Sequence, residues 1–288
     1  MAQQVQACRK GEESAYLEQS VLSSGAVSRS ELSVSSEGSQ GSPAESSRPP
    51  VREAAWLDVG LVEYERCHRL QLRLHAARVT SAVPDTAIVL EHLPCLTLGR
   101  FCQGEHVLAK PEELSAAGIR LHHTERGGDV TYHGPGQLVL YTIFDLAGYG
   151  KDVHAHARRL EQVLIDALAT FGVEAVRRPE YPGVWTEQGK IGAIGFAVKR
   201  WVTLHGVSLN VSPDLSHFGF IVPCGLHGER VTSLKEILGG EVEMELVKRE
   251  VKRSFAKVFG VRLIDWDRKS LEEELGRTLL KSGFCGET

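Results

Sequence analysis

Three stretches of the sequence concentrate glycine, histidine and other residues that commonly bind ligands or react. They are RGGDVTYHGPGQ (126–137), GKIGAIGFAVKRWVTLHGVSLN (189–210) and DLSHFGFIVPCGL (214–226). Glycines in the first stretch permit positive φ angles and close backbone approach, so its N–H groups can surround a ligand. A glycine-rich hairpin turn explains the same pattern equally well. The sequence contains neither G-x-x-x-x-G-K-[ST] nor G-x-G-x-x-G, so the two common nucleotide-phosphate loops are missing.

Lys190 and Cys224 are the two side chains in these stretches that are best suited to react. Eight uncharged residues separate Lys190 from the next charged residue, Lys199. Burial in an apolar strand disfavours the ammonium and helps a lysine to exchange protons, although most such lysines extend to water. Cys224 lies in a Pro-Cys-Gly turn, which favours a nucleophile over the inert buried thiol that is usual for free cysteine. His205 is either a cleft residue or a hydrogen-bonded structural histidine.

The elements that must position these residues follow from hydrophobic periodicity. Apolar residues at a spacing of three or four predict helices, and β-branched runs predict strands. The predicted helices cover 60–78, 154–171 and 243–259, and the predicted strands cover 86–92, 119–124, 137–145, 189–199 and 201–211, the last two as a hairpin turning near Arg200. Without a steady βαβ rhythm, this order predicts an α+β fold with a mixed β-sheet packed with helices.

Composition excludes several classes of protein. The 288 residues are 42% hydrophobic and 24% charged, which suits a globular core, and no stretch of 18 apolar residues predicts a membrane span. A net charge of −4 lacks the basic surplus of proteins that bind nucleic acid through phosphates. Six cysteines without a C-x-x-C pair predict free thiols in a reducing compartment and no zinc site.

The chain divides by composition into three parts. Residues 1–52 are predicted to form a disordered tail, because 13 of the first 50 residues are serine and only Tyr16 is aromatic. Residues 53–270 are predicted to form the catalytic domain, and 271–288 a C-terminal extension with a loose end. The tail carries six glutamates, whereas transit peptides are poor in acids. We therefore expect a cytoplasmic protein, with a mitochondrial or plastid location as the alternative.

Five ordered motifs carry a resemblance to a known family. They are RGGDVTYHGPGQLVLY (126–141), YPGVW (181–185), GKIGAIG (189–195), HGVSLN (205–210) and DLSHFGFIVPCG (214–225). On these motifs the chain from about 55 to 262 resembles the lipoyl(octanoyl) transferases, within the biotin/lipoate protein ligase-like catalytic domain superfamily. The resemblance implies Cys224 and Lys190 as the catalytic pair. It also implies a substrate-binding cleft formed by Arg126, Gly127, Gly128, Asp129, Val130, Thr131, Tyr132, His133, Ala193, Ile194, Gly195, Gly206, Val207 and Ser208.

The reaction implied by the resemblance moves an octanoyl or lipoyl group through a Cys224 thioester. The donor is octanoyl-acyl carrier protein, and the acceptors are lysines of the lipoyl domains of 2-oxoacid dehydrogenase E2 subunits and of the glycine cleavage H protein. No ATP, metal or other cofactor is expected, and monomer is the default state. From the residues alone, a Cys–His pair using His133, His205 or His227 is the natural choice, because histidine titrates near neutrality. The resemblance favours Lys190.

Three other functions are compatible with parts of the sequence pattern, and the transferase interpretation adds two structural expectations. A non-catalytic carrier-domain-binding module, a cysteine thioester hydrolase and an ATP-using lipoate ligase share parts of the pattern. Gly192, Gly195 and Gly206 are expected to leave a narrow slot in which an acyl chain lies against bare backbone. Because acyl carrier proteins are acidic, a local basic patch is also expected. The candidates for this patch are Arg177, Arg178, Lys199 and Arg200.

Overall fold

A large mixed β-sheet with helices on both faces forms the body of the protein. The computed structural model describes residues 51–102, 104–222, 228–267, 269–271 and 273. Of the predicted tail, 1–52, only residues 51 and 52 are described, and Arg52 already begins a strand. Of the predicted C-terminal extension, 271–288, only residues 271 and 273 are described.

The elements alternate between strands and helices in an irregular order. The strands are β1 (Arg52–Val62), β2 (Asp85–His92), β3 (Cys95–Leu98), β4 (Arg120–His123), β5 (Val130–His133), β6 (Gln137–Ile143), β7 (Val176–Arg178), β8 (Tyr181–Thr186), β9 (Gly189–Lys199), β10 (Val202–Asn210) and β11 (Val261–Trp266). The α-helices are α1 (Tyr64–Val79), α2 (Pro111–Ala116), α3 (Val153–Ala169), α4 (Leu234–Leu238) and α5 (Met244–Phe259). Short 3₁₀ turns cover Leu146–Tyr149 and Leu215–Phe220. None of the helices in the described ranges has the length and apolar character needed to cross a membrane.

Two sheets organise the described strands. The larger has eight strands in the order β11-β1-β2-β6-β10-β9-β8-β7, and the smaller has three in the order β4-β3-β5. In the larger sheet β1 runs parallel to β2 and β11, while β6, β8, β9 and β10 pair antiparallel with their neighbours. This arrangement confirms the predicted α+β class with a mixed sheet.

Helices cover both faces of the larger sheet, so its central strands are buried on both sides. On one face, Leu138 and Leu140 of β6 belong to a core with α3 and α5. On the other face, Val139 and Tyr141 belong to a core with α1. A strand covered on both faces reads as a continuous apolar run, which explains QLVLYTI at 137–143.

The first predicted helix, 60–78, begins too early. Residues 52–62 form β1, which pairs in parallel with both β2 and β11, and the helix α1 begins only at Tyr64. Gly60 has a φ of +64° at a register shift of β1, which glycine tolerates. Because the partner β11 is about 200 residues away in sequence, local periodicity did not reveal this strand.

Candidate functional site

The hairpin of β9 and β10 carries two of the sequence motifs and separates their residues by face. Ala193 pairs with Ser208, and Gly195 with Gly206, across the two strands. Alternate residues of a strand point to opposite faces. Ile194 and Val207, which stand between these positions, accordingly pack in the core against α3. The predicted set 193–195 and 206–208 is therefore shared between a site face and a core face.

A small pocket opens on the site face of this hairpin. It is lined by residues from β5, β6, β9, β10 and two loops: Thr131, Gln137, Lys190, Gly192, Ala193, Ser208, Asn210, Phe218 and Val231. The structure thus brings together residues of all three glycine- and histidine-rich stretches. Thr131, Lys190, Ala193 and Ser208 were predicted as site residues, whereas Gln137 and Asn210 were not, although both lie inside the quoted motifs.

Among the described residues of this lining, Lys190 is the one lysine, and there is no arginine. It is 7% exposed, and its Nζ lies 5.5 Å from the centre of the Trp185 ring. The backbone N–H of Lys190 donates to the carbonyl of Arg230 at 2.8 Å, and its backbone carbonyl accepts from the N–H of Thr232 at 3.0 Å. No carboxylate of the described residues lies within ion-pair distance of Lys190. The two bonds fix the backbone of Lys190, and its buried side chain lies against the Trp185 ring at the pocket.

A chain of buried hydrogen bonds behind the pocket connects the motifs at 126–141, 205–210 and 189–195. His133 Nδ1 bonds to Gln137 Oε1 at 2.6 Å, and Gln137 Nε2 donates to Asn210 Oδ1 at 2.9 Å. Asn210 Nδ2 donates in turn to the carbonyl of Thr232 at 3.0 Å, and Thr232 bonds the backbone of Lys190. Burial first, and the neighbouring His92 second, lower the pKa of His133 to about 3. His133 is therefore neutral at pH 7 and holds the amide of Gln137 in place.

Arg126 fastens the RGGD loop, although it is absent from the pocket lining. Its guanidinium donates to Thr97 Oγ1 at 3.1 Å, and to the carbonyls of Thr97 at 2.6 Å and Asp129 at 2.7 Å. Gly127 N–H donates to the carbonyl of Phe196 at 3.0 Å, which anchors the loop on β9. A buried arginine in this geometry fixes backbone position, because each of these bonds goes to β3 or to the loop itself.

Other predicted site residues that follow in this segment pack in a small core or bond to neighbouring side chains outside the pocket lining. Val130 is fully buried in a small core with β3, and Asp129 pairs with His106. The Tyr132 hydroxyl bonds to His217 Nδ1 at 2.9 Å, and burial raises the pKa of Tyr132 to about 12. These groups shape the wall from which Thr131 reaches the pocket.

Gly192, Gly195 and Gly206 were expected to leave a slot for an acyl chain, but the space beside each of them is occupied by atoms of the protein. A Cβ on Gly192 would lie 2.9 Å from Leu164 Cδ1, and one on Gly206 would lie 2.3 Å from the carbonyl oxygen of Leu140. A Cβ on Gly195 would lie 3.1 Å from the carbonyl of Gly127. Close packing against α3, against a neighbouring strand and against the RGGD loop accounts for glycine at 192, 206 and 195 respectively.

The predicted nucleophile, Cys224, lies outside the described residues, as does His227. The segment that contains Cys224 is bracketed in sequence by Phe218 and Val231, both of which line the pocket. The described cysteines are poor nucleophiles, because burial, as the largest cause, raises the thiol pKa in every case. The values are about 12 for Cys67, about 12 for Cys95 and about 11 for Cys102.

His205, the other rival base, points away from the pocket towards α1. Its Nε2 lies 3.2 Å from Thr124 Oγ1 and 3.6 Å from Glu125 Oε1. Burial, only partly offset by Glu125, lowers the pKa of His205. Burial alone would raise the pKa of the Glu125 carboxyl. Hydrogen bonds from His205 and His68 outweigh this effect and hold the pKa well below its usual range.

The family of this chain follows from a sequence profile that matches most of the described fold. The profile of the lipoyl protein ligase A/B catalytic domain matches residues 63–256, which contain both sheets' central strands and the whole pocket. The chain belongs to this family.

Other members of the lipoyl protein ligase A/B family match the chain over most of their own length. The octanoyltransferase of Caldicellulosiruptor saccharolyticus is 46% identical over 215 residues, which cover 74% of this chain and 92% of the relative. The octanoyltransferase of Gloeobacter violaceus is 49% identical over 207 residues, which cover 72% and 90%. These relatives confirm the resemblance predicted from the five motifs.

Solved structures with the same fold include lipoate protein ligases. A lipoate-protein ligase A bound with ATP aligns with a TM-score of 0.59 at 18% identity, covering 83% of this chain and 97% of that chain. A bipartite lipoate protein ligase of Thermoplasma acidophilum aligns with a TM-score of 0.58 at 18% identity, covering 80% and 92%. At this identity the likeness establishes the fold alone, and it confirms the predicted lipoate ligase-like catalytic domain.

Proposed function

We propose that this protein is an octanoyltransferase that moves an octanoyl group from a carrier-protein thioester to the ε-amine of a lysine on a lipoyl domain. The observation that carries the proposal is the set of relatives named octanoyltransferase, which are 40–49% identical over most of the chain. The convergence of this chain's own glycine- and histidine-rich stretches on one pocket around Lys190 supports the same conclusion.

In the first step, the Cys224 thiolate attacks the thioester carbonyl of the donor. A new C–S bond forms, the old C–S bond breaks, and the carrier thiol leaves as a thiolate that takes up the proton released from Cys224. A free cysteine is only a few per cent thiolate at neutral pH, so a nearby cation or base accelerates the attack. Lys190 is the proposed partner, because it is a buried basic side chain of the pocket lining whose own backbone is fixed by two hydrogen bonds.

In the second step, the lysine amine of the acceptor attacks the acyl-enzyme thioester. A C–N bond forms, the bond to Cys224 sulfur breaks, and the amine loses one proton to the thiolate or to a neutral Lys190. A thioester is already activated and amide formation from it is favourable, so the cycle needs no ATP, metal or other cofactor. Exclusion of water protects the intermediate from hydrolysis.

The pocket lining suits a short acyl chain with a polar end. Phe218, Val231 and Ala193 offer apolar contact, whereas Ser208, Thr131 and Gln137 offer hydrogen-bonding groups beside Lys190. Ligand sites typically combine an apolar lining with a few placed polar groups. We propose that the octanoyl chain lies against the apolar residues and that the thioester carbonyl faces the polar ones.

The proposed partners are octanoyl-acyl carrier protein as donor and the lipoyl domains of 2-oxoacid dehydrogenase E2 subunits and of the glycine cleavage H protein as acceptors. Of the four basic residues considered for carrier docking, Arg177 pairs with Glu161 and Arg178 with Glu229, both at 3.0 Å. Lys199 and Arg200 are exposed at the β9–β10 turn. They are the stronger candidates for attracting an acidic carrier, because neither pairs with an acid among the residues that the structure describes.

Intact-protein mass spectrometry tests the proposal. The purified chain is mixed with octanoyl carrier protein without ATP, in wild-type form and as Cys224→Ser. We expect a thiol-labile gain of about 126 Da on the wild type, passed on to an added lipoyl domain, and no stable thioester on the variant. Free octanoate in place of the amide would indicate a thioester hydrolase. Transfer only with ATP and free octanoate would indicate a ligase, and binding without any adduct would indicate a non-catalytic module.

A further inference from the structure

A cluster of three metal-ligating side chains lies outside the pocket, between α1, the loop before Arg126 and β10. His68 Nε2 is 3.1 Å from both carboxylate oxygens of Glu125, and His205 Nε2 is 3.6 Å from Glu125 Oε1. All three ligand atoms lie within 4.8 Å of one another. Two imidazoles and one carboxylate form a set that proteins use for zinc and related ions.

The spacing of these atoms agrees with a tetrahedral ion. Zinc binds imidazole nitrogen and carboxylate oxygen at about 2.0–2.1 Å, so tetrahedral ligands stand about 3.3 Å apart. The separations of 3.1 and 3.6 Å lie on either side of that value. The third separation, between His68 Nε2 and His205 Nε2, is at most 4.8 Å.

The surrounding structure holds the ligands in place on one side and leaves them accessible on the other. His205 is 1% exposed, and its backbone N–H donates to Gln71 Oε1 of α1 at 2.8 Å. The rings of His68 and His205 are stacked, with centroids 5.6 Å apart and planes at 24°. The side chains of His68 and Glu125 are 22% and 39% exposed, so an ion can reach the cluster from solvent.

His205 also has an unusual backbone conformation. Its φ is +63°, in the middle of β10, and a non-glycine residue pays about 1–2 kcal/mol for left-handed backbone. Such strain persists only where the surroundings impose it. Here it directs the imidazole towards Glu125 and His68.

We propose that His68 Nε2, His205 Nε2 and a carboxylate oxygen of Glu125 bind one divalent transition metal of the zinc type, with water as the fourth ligand. The Thr124 hydroxyl, 3.2 Å from His205 Nε2, is the group that the ion displaces as a partner of His205. The bound ion joins α1, the loop before Arg126 and β10. None of its ligands lines the pocket, so the site is separate from the proposed acyl transfer and does not depend on it.

Zinc titration of the full chain tests this site. The protein is stripped of metal, its accessible thiols are blocked with iodoacetamide, and Zn²⁺ is titrated by calorimetry into wild type, His68→Ala and Glu125→Gln. His154→Ala, which removes an exposed histidine of α3, is the matched control. We expect one equivalent of Zn²⁺ on wild type and control, and an affinity more than about 100-fold weaker in both site variants.

A second measurement guards against variants that fail to fold. Co²⁺ added to the wild type should give the strong visible absorption of a four-coordinate ion, and Zn²⁺ should remove it. Glu125→Gln keeps the size of the residue and one accepting oxygen, and it removes the negative charge. If the wild type takes up no Zn²⁺, or if both site variants bind it like the control, the cluster is only a hydrogen-bonded network and the proposal is wrong.

Discussion

Replacement of Lys190 by methionine separates a catalytic role from a structural one, because the two roles predict changes of opposite sign. The side chain is 7% exposed and its ammonium has no carboxylate partner among the described residues. Burial of an unpaired charge costs several kcal/mol, whereas the contact with the Trp185 ring returns at most about 2 kcal/mol. Methionine has a similar length and no charge. We therefore expect Lys190→Met to raise the free energy of unfolding by at least about 1 kcal/mol.

The same substitution should impair acyl transfer. Loss of a positioned general base or charge partner lowers a rate by about 100- to 10,000-fold. The assay is single-turnover transfer from octanoyl carrier protein to a lipoyl domain, and the stability is measured by urea unfolding. Lys190→Arg is the matched variant, because it keeps the charge and loses the ability to accept a proton.

Two results would refute this reasoning. Near wild-type transfer by Lys190→Met, together with loss of transfer in His133→Ala or His205→Ala, would assign the base to a histidine. A loss of stability in Lys190→Met in parallel with the loss of activity would contradict the expected stabilisation and would show that Lys190 supports the fold of the pocket.

Three further predictions concern the fold around the site. Arg200 and Trp201 form the β9–β10 turn with φ of +55° and +63°. Because asparagine tolerates left-handed backbone better than arginine, Arg200→Asn should raise the free energy of unfolding by about 1 kcal/mol and so raise Tm, and an unchanged Tm would contradict this. Gly206→Ala would place a Cβ 2.3 Å from the Leu140 carbonyl, and we expect urea unfolding to show a loss of about 1–3 kcal/mol, against little change for alanine at exposed Gly240. Burial lowers the pKa of His156 from 6.5 to about 3. Between pH 6.5 and 3 the unfolded chain therefore binds a proton that the folded chain does not, so the folded state becomes less stable as the pH falls. The free energy of unfolding should therefore drop with falling pH by about 1.4 kcal/mol per unit from this group, and His156→Gln should lose that part of the slope.

The sequence predicted the elements that have strong local periodicity and missed those defined by distant pairing. Helix α3 and the β9–β10 hairpin were predicted within about two residues, since their apolar spacing and turn are local signals. Strands β1 and β11 were missed, because their pairing joins residues about 200 positions apart. Their identity as strands depends on a partner that no short window contains.

The candidate site shows a similar limit. Motif density located the three segments that meet at the pocket, but it did not predict Gln137 and Asn210 as connected residues. Their hydrogen bond joins β6 to β10 over 73 positions. The cluster of His68, Glu125 and His205 was equally hidden, since α1, a loop and β10 supply one ligand each and no metal-binding spacing results.

One part of the site assignment was available from the sequence and follows from strand geometry. A motif in a strand includes residues of both faces, so at most half of its positions can meet a ligand on one face. With Ser208 on the pocket face of β10, the period of two places Gly206 and Asn210 on the same face and assigns Val207 to the core, where it packs against α3. On β9 the same rule separates Ala193 from Ile194, but it fails towards the start of the strand, because Lys190 and Gly192, which the period of two places on the same face as Ile194, also line the pocket. Substitutions at Ile194 or Val207 are therefore expected to change stability first, and those at Ala193, Ser208 or Asn210 to change acyl transfer first.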